Sequence, residues 1–171
     1  MEGGGVHQEA FCYVRDSLAR FVPTPGNVLE LGSFNVNGTV RDLFTETDGY
    51  TGVDLRGGRG VDVVCDASDY DGVASFDTVV TAEMLEHARR PQAVIESAWR
   101  ALKPGGVLIL TAASQERLPH NNNGDHVLDD DEHYAGINPD DLADWLTDWE
   151  VLSFEHHPGR GDVYATARKA C

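Results

Sequence analysis

The sequence predicts a doubly wound α/β sheet, mostly parallel, that closes on an antiparallel edge. Three observations carry this expectation. Short Val- and Leu-rich runs, of the kind found in parallel strands buried on both faces, alternate with helical patterns. One intervening segment, PQAVIESAWRALKPGG, carries both ends of a crossover helix, with Pro91 at its start and a Lys-Pro-Gly-Gly stop. The last two apolar segments, EVLSFE and GDVYATAR, alternate like half-buried strands and are joined through HHPGR.

The chain opens on Phe11, Val14, Leu18 and Phe21 at helical spacing, and PTPGN ends that helix. A buried strand follows in VLEL (28–31), then the loop GSFNVNG and a helix over TVRDLF. Further strands are expected in TGVDL (51–55), VDVVC (61–65), FDTVV (76–80) and VLILTA (107–112). Between the last two, Ile95, Ala98, Trp99 and Leu102 share one helical face. Asn138 caps a helix begun by Pro139 and two acids, with Leu142, Trp145 and Leu146 turned inward. The polar stretch 114–136 is too long for an ordinary connection, and its place after a strand end marks it as a lid or substrate loop. Residues 1–171 read as one domain without internal repeats.

No apolar run approaches the roughly 20 residues that span a bilayer, so no membrane association is expected. MEGGGVHQEA lacks the basic and apolar segments of a secretory signal, which places the protein in the cytoplasm. Cys12, Cys65 and Cys171 are scattered, odd in number and without a CxxC. They are expected to be reduced thiols, with Cys65 filling the core. Thirteen basic against 29 acidic side chains give a formal charge of −16, which opposes attraction to a phosphate backbone and disfavours nucleic acid as a partner.

Ligands of open α/β sheets sit beyond the carboxyl ends of the strands, so the first loop comes first. In ELGSFNVNG, Gly32 directly after the strand and Gly38 at the helix start let the backbone turn and approach a ligand. Asp54 ends the next strand 22 residues after Gly32, where a carboxylate can accept from both hydroxyls of a ribose. Asp66 closes VDVVC and, with the Ala67 backbone, is placed to take an exocyclic amine and a ring nitrogen of adenine. Either aspartate alone reads equally well as a turn cap. Both together with the glycine loop favour a nucleoside site.

VLELGSFNVNG, YTGVDLR, VVCDA, FDTVVTAEMLEH and RALKPGGVLIL together resemble the class I S-adenosylmethionine-dependent methyltransferases over about residues 10–168. The resemblance implies a Rossmann-like sheet of seven strands with strands six and seven antiparallel, and S-adenosylmethionine as cofactor. It implies that Glu30, Gly32 and the loop through Ser33, Phe34, Asn37 and Gly38 hold the methionine end. Asp54 and Leu55 would hold the ribose, Asp66 and Ala67 the adenine, and Ala82 and Glu83 the sulfonium region. Ser33, Phe34, Asn35 and Asn37 replace glycines of the usual E/D-x-G-x-G-x-G and reshape the methionine pocket.

In TAEMLEHARRP, Glu83, Glu86 and His87 follow the fourth strand, and one helical turn would bring Glu83 beside the other two. EMLEH is similar to the corresponding segment of ubiquinone-biosynthesis O-methyltransferases. An E-x-x-E-H also occurs in small-RNA 3′-terminal 2′-O-methyltransferases, where it joins a later His around a divalent ion. Here that later residue would be His133, or less readily His126, making Glu83, Glu86, His87 and His133 a candidate first shell for Mg, Mn, Zn or Fe. Without metal, His87 or His133 is the best available general base. The expected activity is methyl transfer to an oxygen, with nitrogen second, of a small-molecule acceptor. A metal-dependent RNA 3′-end methyltransferase and a non-catalytic S-adenosylmethionine-binding module stand as alternatives, and oligomeric state is left open.

Overall fold

The computed structural model describes residues 8–36, 38–121, 128, 130 and 132–170. Seven strands form one sheet: β1 (Asn27–Leu31), β2 (Gly49–Asp54), β3 (Val63–Val64), β4 (Phe76–Ala82), β5 (Leu102–Ala113), β6 (Trp149–His157) and β7 (Asp162–Lys169). Their order is β3-β2-β1-β4-β5-β7-β6, with the first five parallel and β7 antiparallel to both β5 and β6. This is the predicted doubly wound sheet with its antiparallel edge. Strand order reverses between β1 and β4, so the crevice for a ligand lies at their carboxyl ends.

Alternation along the central strands builds one core on each face of the sheet. Val28, Val80 and Ile109 meet Ala10, Val14 and Leu18 of helix α1 (Gln8–Phe21). Leu29, Val79, Leu108 and Leu110 turn the other way, toward Val94, Ile95 and Ala98 of α2 (Pro91–Ala101) and Leu142 of α3 (Pro139–Trp145). Each fully buried Val, Leu or Ile contributes about 1.5–3 kcal/mol relative to exposure, so the two cores hold the sheet between its helices. Asn138 caps α3 as expected, its side chain accepting from the Asp140 amide at 2.8 Å.

Two elements differ from expectation. TVRDLF forms only a single 3-10 turn over Arg41–Leu43, not a helix. Val40 stands at its N-cap and has no side-chain acceptor to satisfy the free amides, while Val40 and Phe44, both buried, already anchor the segment within one turn. In VDVVC only Val63–Val64 join the ladder, and they are 38% and 61% exposed. The amides of Val61 and Asp62 are taken by Gly58 and Gly52 carbonyls, so a β-branched run that read as buried becomes a short edge strand. Cys65 beside it is half-buried against the core and does not fill it.

Candidate active site

The first loop turns at Gly32, whose amide, like that of Ser33, donates to the Val53 carbonyl at the end of β2 (2.8 and 3.0 Å). Gly32 has φ +84°, and a Cβ there would stand 2.3 Å from Met84 Cγ. Both conformation and space therefore demand glycine, and the loops after β1 and β4 touch as a result. Phe34, in the place of a second glycine, donates its amide to Asp54 Oδ2 at 3.1 Å. Its ring lies against Gly58, where a Cβ would be 2.3 Å away, with the Arg56 guanidinium 5.1 Å from the ring centroid. Thus the bulk that replaces glycine in the loop is accommodated by a glycine on the connection it packs against.

Asp54 also accepts from the Arg56 amide at 3.1 Å, which fixes its carboxylate between the two loops. Asp66 accepts from the Ser68 amide at 2.8 Å and hydroxyl at 2.6 Å, and lies 3.6 Å from Arg90. Burial opposes its ionisation, but the Ser68 and Arg90 contacts outweigh it and hold its pKa below the ordinary value. Each aspartate so caps a turn, and each still has acceptor capacity, since a carboxylate offers about four sites. Ala67 is buried beside Asp66, whereas Leu55 next to Asp54 is 65% exposed.

Glu30 is buried on β1, and burial pushes its pKa up to about 7. Tyr50 of β2 donates its hydroxyl to Glu30 Oε2 at 2.9 Å, and the Arg41 guanidinium stands 4.5 Å from the Tyr50 ring centroid.

At the end of β4, Glu83 adopts a left-handed φ of +53° while its amide donates to the Thr111 carbonyl at 2.9 Å. Such a conformation costs about 1–3 kcal/mol outside glycine and persists only where neighbours impose it. Arg117 imposes it here, donating from Nη1 to Glu83 Oε2 at 2.5 Å and from its other terminal nitrogen to Asp162. Tyr164 donates to the same aspartate at 2.8 Å. Glu86 is fully buried in the 3-10 turn Leu85–His87, and burial together with the Glu83 charge raises its pKa. Its carboxyl faces the Ala113 backbone amide without reaching hydrogen-bond geometry. The His87 ring meets those of His120 and Tyr134 edge-on at 5.6 and 5.2 Å and lies near the His133 backbone. Burial and the nearby His120 push its pKa down to about 4.

The turn after β4 thus sets Glu86 near Glu83, and the His87 ring near the His133 backbone. Among the described residues, however, no three His, Cys, Asp or Glu side chains gather in a metal-holding group. Arg117 takes one oxygen of Glu83, and the four side chains do not converge on a common point among the described residues, so no step is routed through a metal. Asn37, His126, Asp129, Asp131 and Cys171 lie outside the described residues. Arg117, Asp162, Tyr50 and Tyr134 were not singled out from the sequence. The signal for Arg117 was there: it is the one Arg or Lys in the stretch 114–136.

A family model described as a methyltransferase domain matches residues 6–164. The chain belongs to that family. A ubiquinone biosynthesis O-methyltransferase of Idiomarina loihiensis is 38% identical to the chain over 64 residues, a stretch covering 36% of this chain and 26% of that relative. Among solved structures, the 1,6-didemethyltoxoflavin-N1-methyltransferase of Burkholderia thailandensis, bound to its substrate and S-adenosylhomocysteine, superposes with a TM-score of 0.67 at 22% identity, covering 95% of this chain and 79% of that one. An S-adenosylmethionine-dependent methyltransferase from Clostridium acetobutylicum gives 0.72 at 12% identity, covering 97% and 93%. By family and fold, this is a class I S-adenosylmethionine-dependent methyltransferase.

Several buried polar groups of the methyltransferase find no partner among the described residues. Buried side-chain atoms without a hydrogen-bond partner among the described residues are Ser33 Oγ, Thr81 Oγ1, Glu83 Oε1, both Glu86 oxygens, Thr111 Oγ1 and Tyr134 Oη. The strand residues among them lie at the carboxyl ends of β4 and β5, and the rest on the loops around them. Unmet polar groups are rare in a folded interior and mark a place where a ligand or water completes them. With the Gly32 turn and the two anchored aspartates, the crevice fits a nucleoside cofactor. No helix among the described residues is long and apolar enough to cross a membrane.

Proposed function

We propose that this methyltransferase transfers the methyl group of S-adenosylmethionine to an oxygen of a small-molecule acceptor. The observation that carries the reading is the crevice where strand order reverses, in which Gly32 after β1 meets Met84 of the turn that carries the unpartnered Glu83 and Glu86 oxygens. Oxygen is favoured over nitrogen by the EMLEH segment and by the partial similarity to ubiquinone biosynthesis O-methyltransferases. The net charge of −16 supports a small acceptor rather than RNA.

When bound, the cofactor supplies an electrophilic methyl group on a positively charged sulfur. Glu30 and the amides of the first loop hold its methionine end, Asp54 and Leu55 its ribose, Asp66 and Ala67 its adenine, and Ala82 and Glu83 flank the sulfur. Aligning nucleophile, methyl carbon and sulfur is the main task of the protein. His87, with its pKa near 4, is unprotonated at neutral pH and free to accept a proton. So weak a base suits hydroxyls that are already acidic, such as those of phenols and enols. His133, half-exposed on the returning segment, is the second candidate base.

Incubation with isotope-labelled S-adenosylmethionine and a panel of phenols, catechols, amines and an RNA oligonucleotide, followed by mass spectrometry, tests the reading. An O-methylated phenol or catechol is expected. Label on the amines or the RNA would overturn it, and tight cofactor binding with no methylated product would favour a binding module.

A further inference from the structure

We propose that Tyr50, braced by Arg41, is a positioning residue that holds the Glu30 carboxylate in one orientation as the anchor for the cofactor's ammonium group. The inference rests on the cofactor reading above. Glu30 and Tyr50 lie on the same face of neighbouring strands: Val28 pairs with Tyr50, and Glu30 stands two residues further along β1, opposite Gly52. The Tyr50 phenol reaches along the sheet to Glu30 Oε2 at 2.9 Å, while the Gly60 carbonyl and Ser33 fill the space that a side chain at Gly52 would need. Arg41 stands over the ring at 4.5 Å from its centroid and is itself held by the Gly60 carbonyl at 3.4 Å and Asp62 at 3.5 Å. Thus the 3-10 turn that replaces the expected helix after the first loop delivers the brace.

The charges around Glu30 explain what this contact does. Burial disfavours its ionised form most strongly, and the charges of Asp54 and Asp62 add to that; Tyr50 and Arg41 are the groups that favour ionisation. Tyr50 is itself buried beside Glu30, which drives its pKa upward and keeps it a donor at every working pH. One donated bond occupies a single acceptor site of the carboxylate and leaves the rest for a ligand. An ammonium ligand binds the ionised carboxylate, so cofactor affinity is linked to the proton on Glu30.

Calorimetric titration of S-adenosylhomocysteine, which carries the same amino-acid end, from pH 6 to 8 tests this with wild type, Tyr50→Phe, Arg41→Gln and Glu30→Gln. Wild-type affinity is expected to climb by up to about tenfold per pH unit and to level off above pH 7. Tyr50→Phe should bind several-fold more weakly at pH 7, with the midpoint of the climb moved to higher pH and the loss narrowing by pH 8. Arg41→Gln should move the midpoint in the same direction, so a Tyr50 variant that fails to fold does not end the test. Glu30→Gln should bind weakly and flatly across the range. An unmoved midpoint in both variants, or an equal loss at every pH, would overturn the proposal while leaving the cofactor site standing. No binding by wild type would overturn both.

Discussion

Arg117 and Glu83 form an ion pair at 2.5 Å between the loop after β5 and a left-handed residue at the end of β4. The side chains are 15% and 9% exposed, and Asp162, which shares the guanidinium, is 5% exposed. Despite the cost of burial, the two carboxylates hold Arg117 charged. Removing one partner of such a buried pair leaves the others uncompensated and costs about 3–5 kcal/mol. Arg117→Ala should lower the unfolding free energy by that amount, and combining it with Glu83→Gln should cost less than the sum of the two. Urea denaturation of the two single variants and the double variant measures both.

Glu30 exposes a conflict between binding and stability. Its folded pKa of about 7 lies above the ordinary 4.5, so between these values the native state holds a proton that the unfolded state has lost. Its favourable contribution is therefore complete below about pH 4.5 and lost as pH rises through 7. Glu30→Gln, which cannot ionise, should be more stable than wild type at pH 8 by the order of 2 kcal/mol and little different at pH 5. Thermal or urea unfolding at the two pH values checks the sign.

Asp54 ties two loops together through the amides of Phe34 and Arg56 and faces the proposed ribose. Asp54→Ala should weaken S-adenosylhomocysteine binding by about 1–3 kcal/mol, the scale for leaving buried polar partners unmatched. Asp54→Asn should lose less, because an amide oxygen still accepts. Calorimetry that finds affinity unchanged in the alanine variant would remove Asp54 from the site.

His87 works in the opposite direction to Glu30. With its folded pKa near 4 and the ordinary value at 6.5, the unfolded chain binds the proton first as pH falls. Stability is therefore complete above about pH 6.5 and declines toward pH 4, by the order of 2 kcal/mol from this residue. Replacing His87 with Phe should flatten the acid limb of a stability-versus-pH curve, and the wild-type ring resonances should titrate near pH 4 in NMR.

The central strands, the α2 crossover and the α3 cap were legible in the sequence because each depends on local signals: Val and Leu runs, Pro91 and Asn138. TVRDLF misled because helical spacing of Val40 and Phe44 satisfies one turn as well as it does a helix. VDVVC misled because β-branched residues report a strand and not which side of it is covered. Within the candidate site, Gly32, Asp54 and Asp66 could be found from their place at strand ends, and Glu30 from the family resemblance. Tyr50 could not, since its meaning comes from a partner 20 residues away on the neighbouring strand, and the lone basic residue Arg117 of the 114–136 stretch gains its meaning only from Glu83, 34 residues away.

A crystal structure of the protein with S-adenosylhomocysteine tests the central claim most directly. The account predicts density for the nucleoside between the Asp54 carboxylate and the Asp66–Ala67 turn, with its amino-acid end directed at Glu30. Density elsewhere, or an empty crevice at saturating ligand, would contradict it.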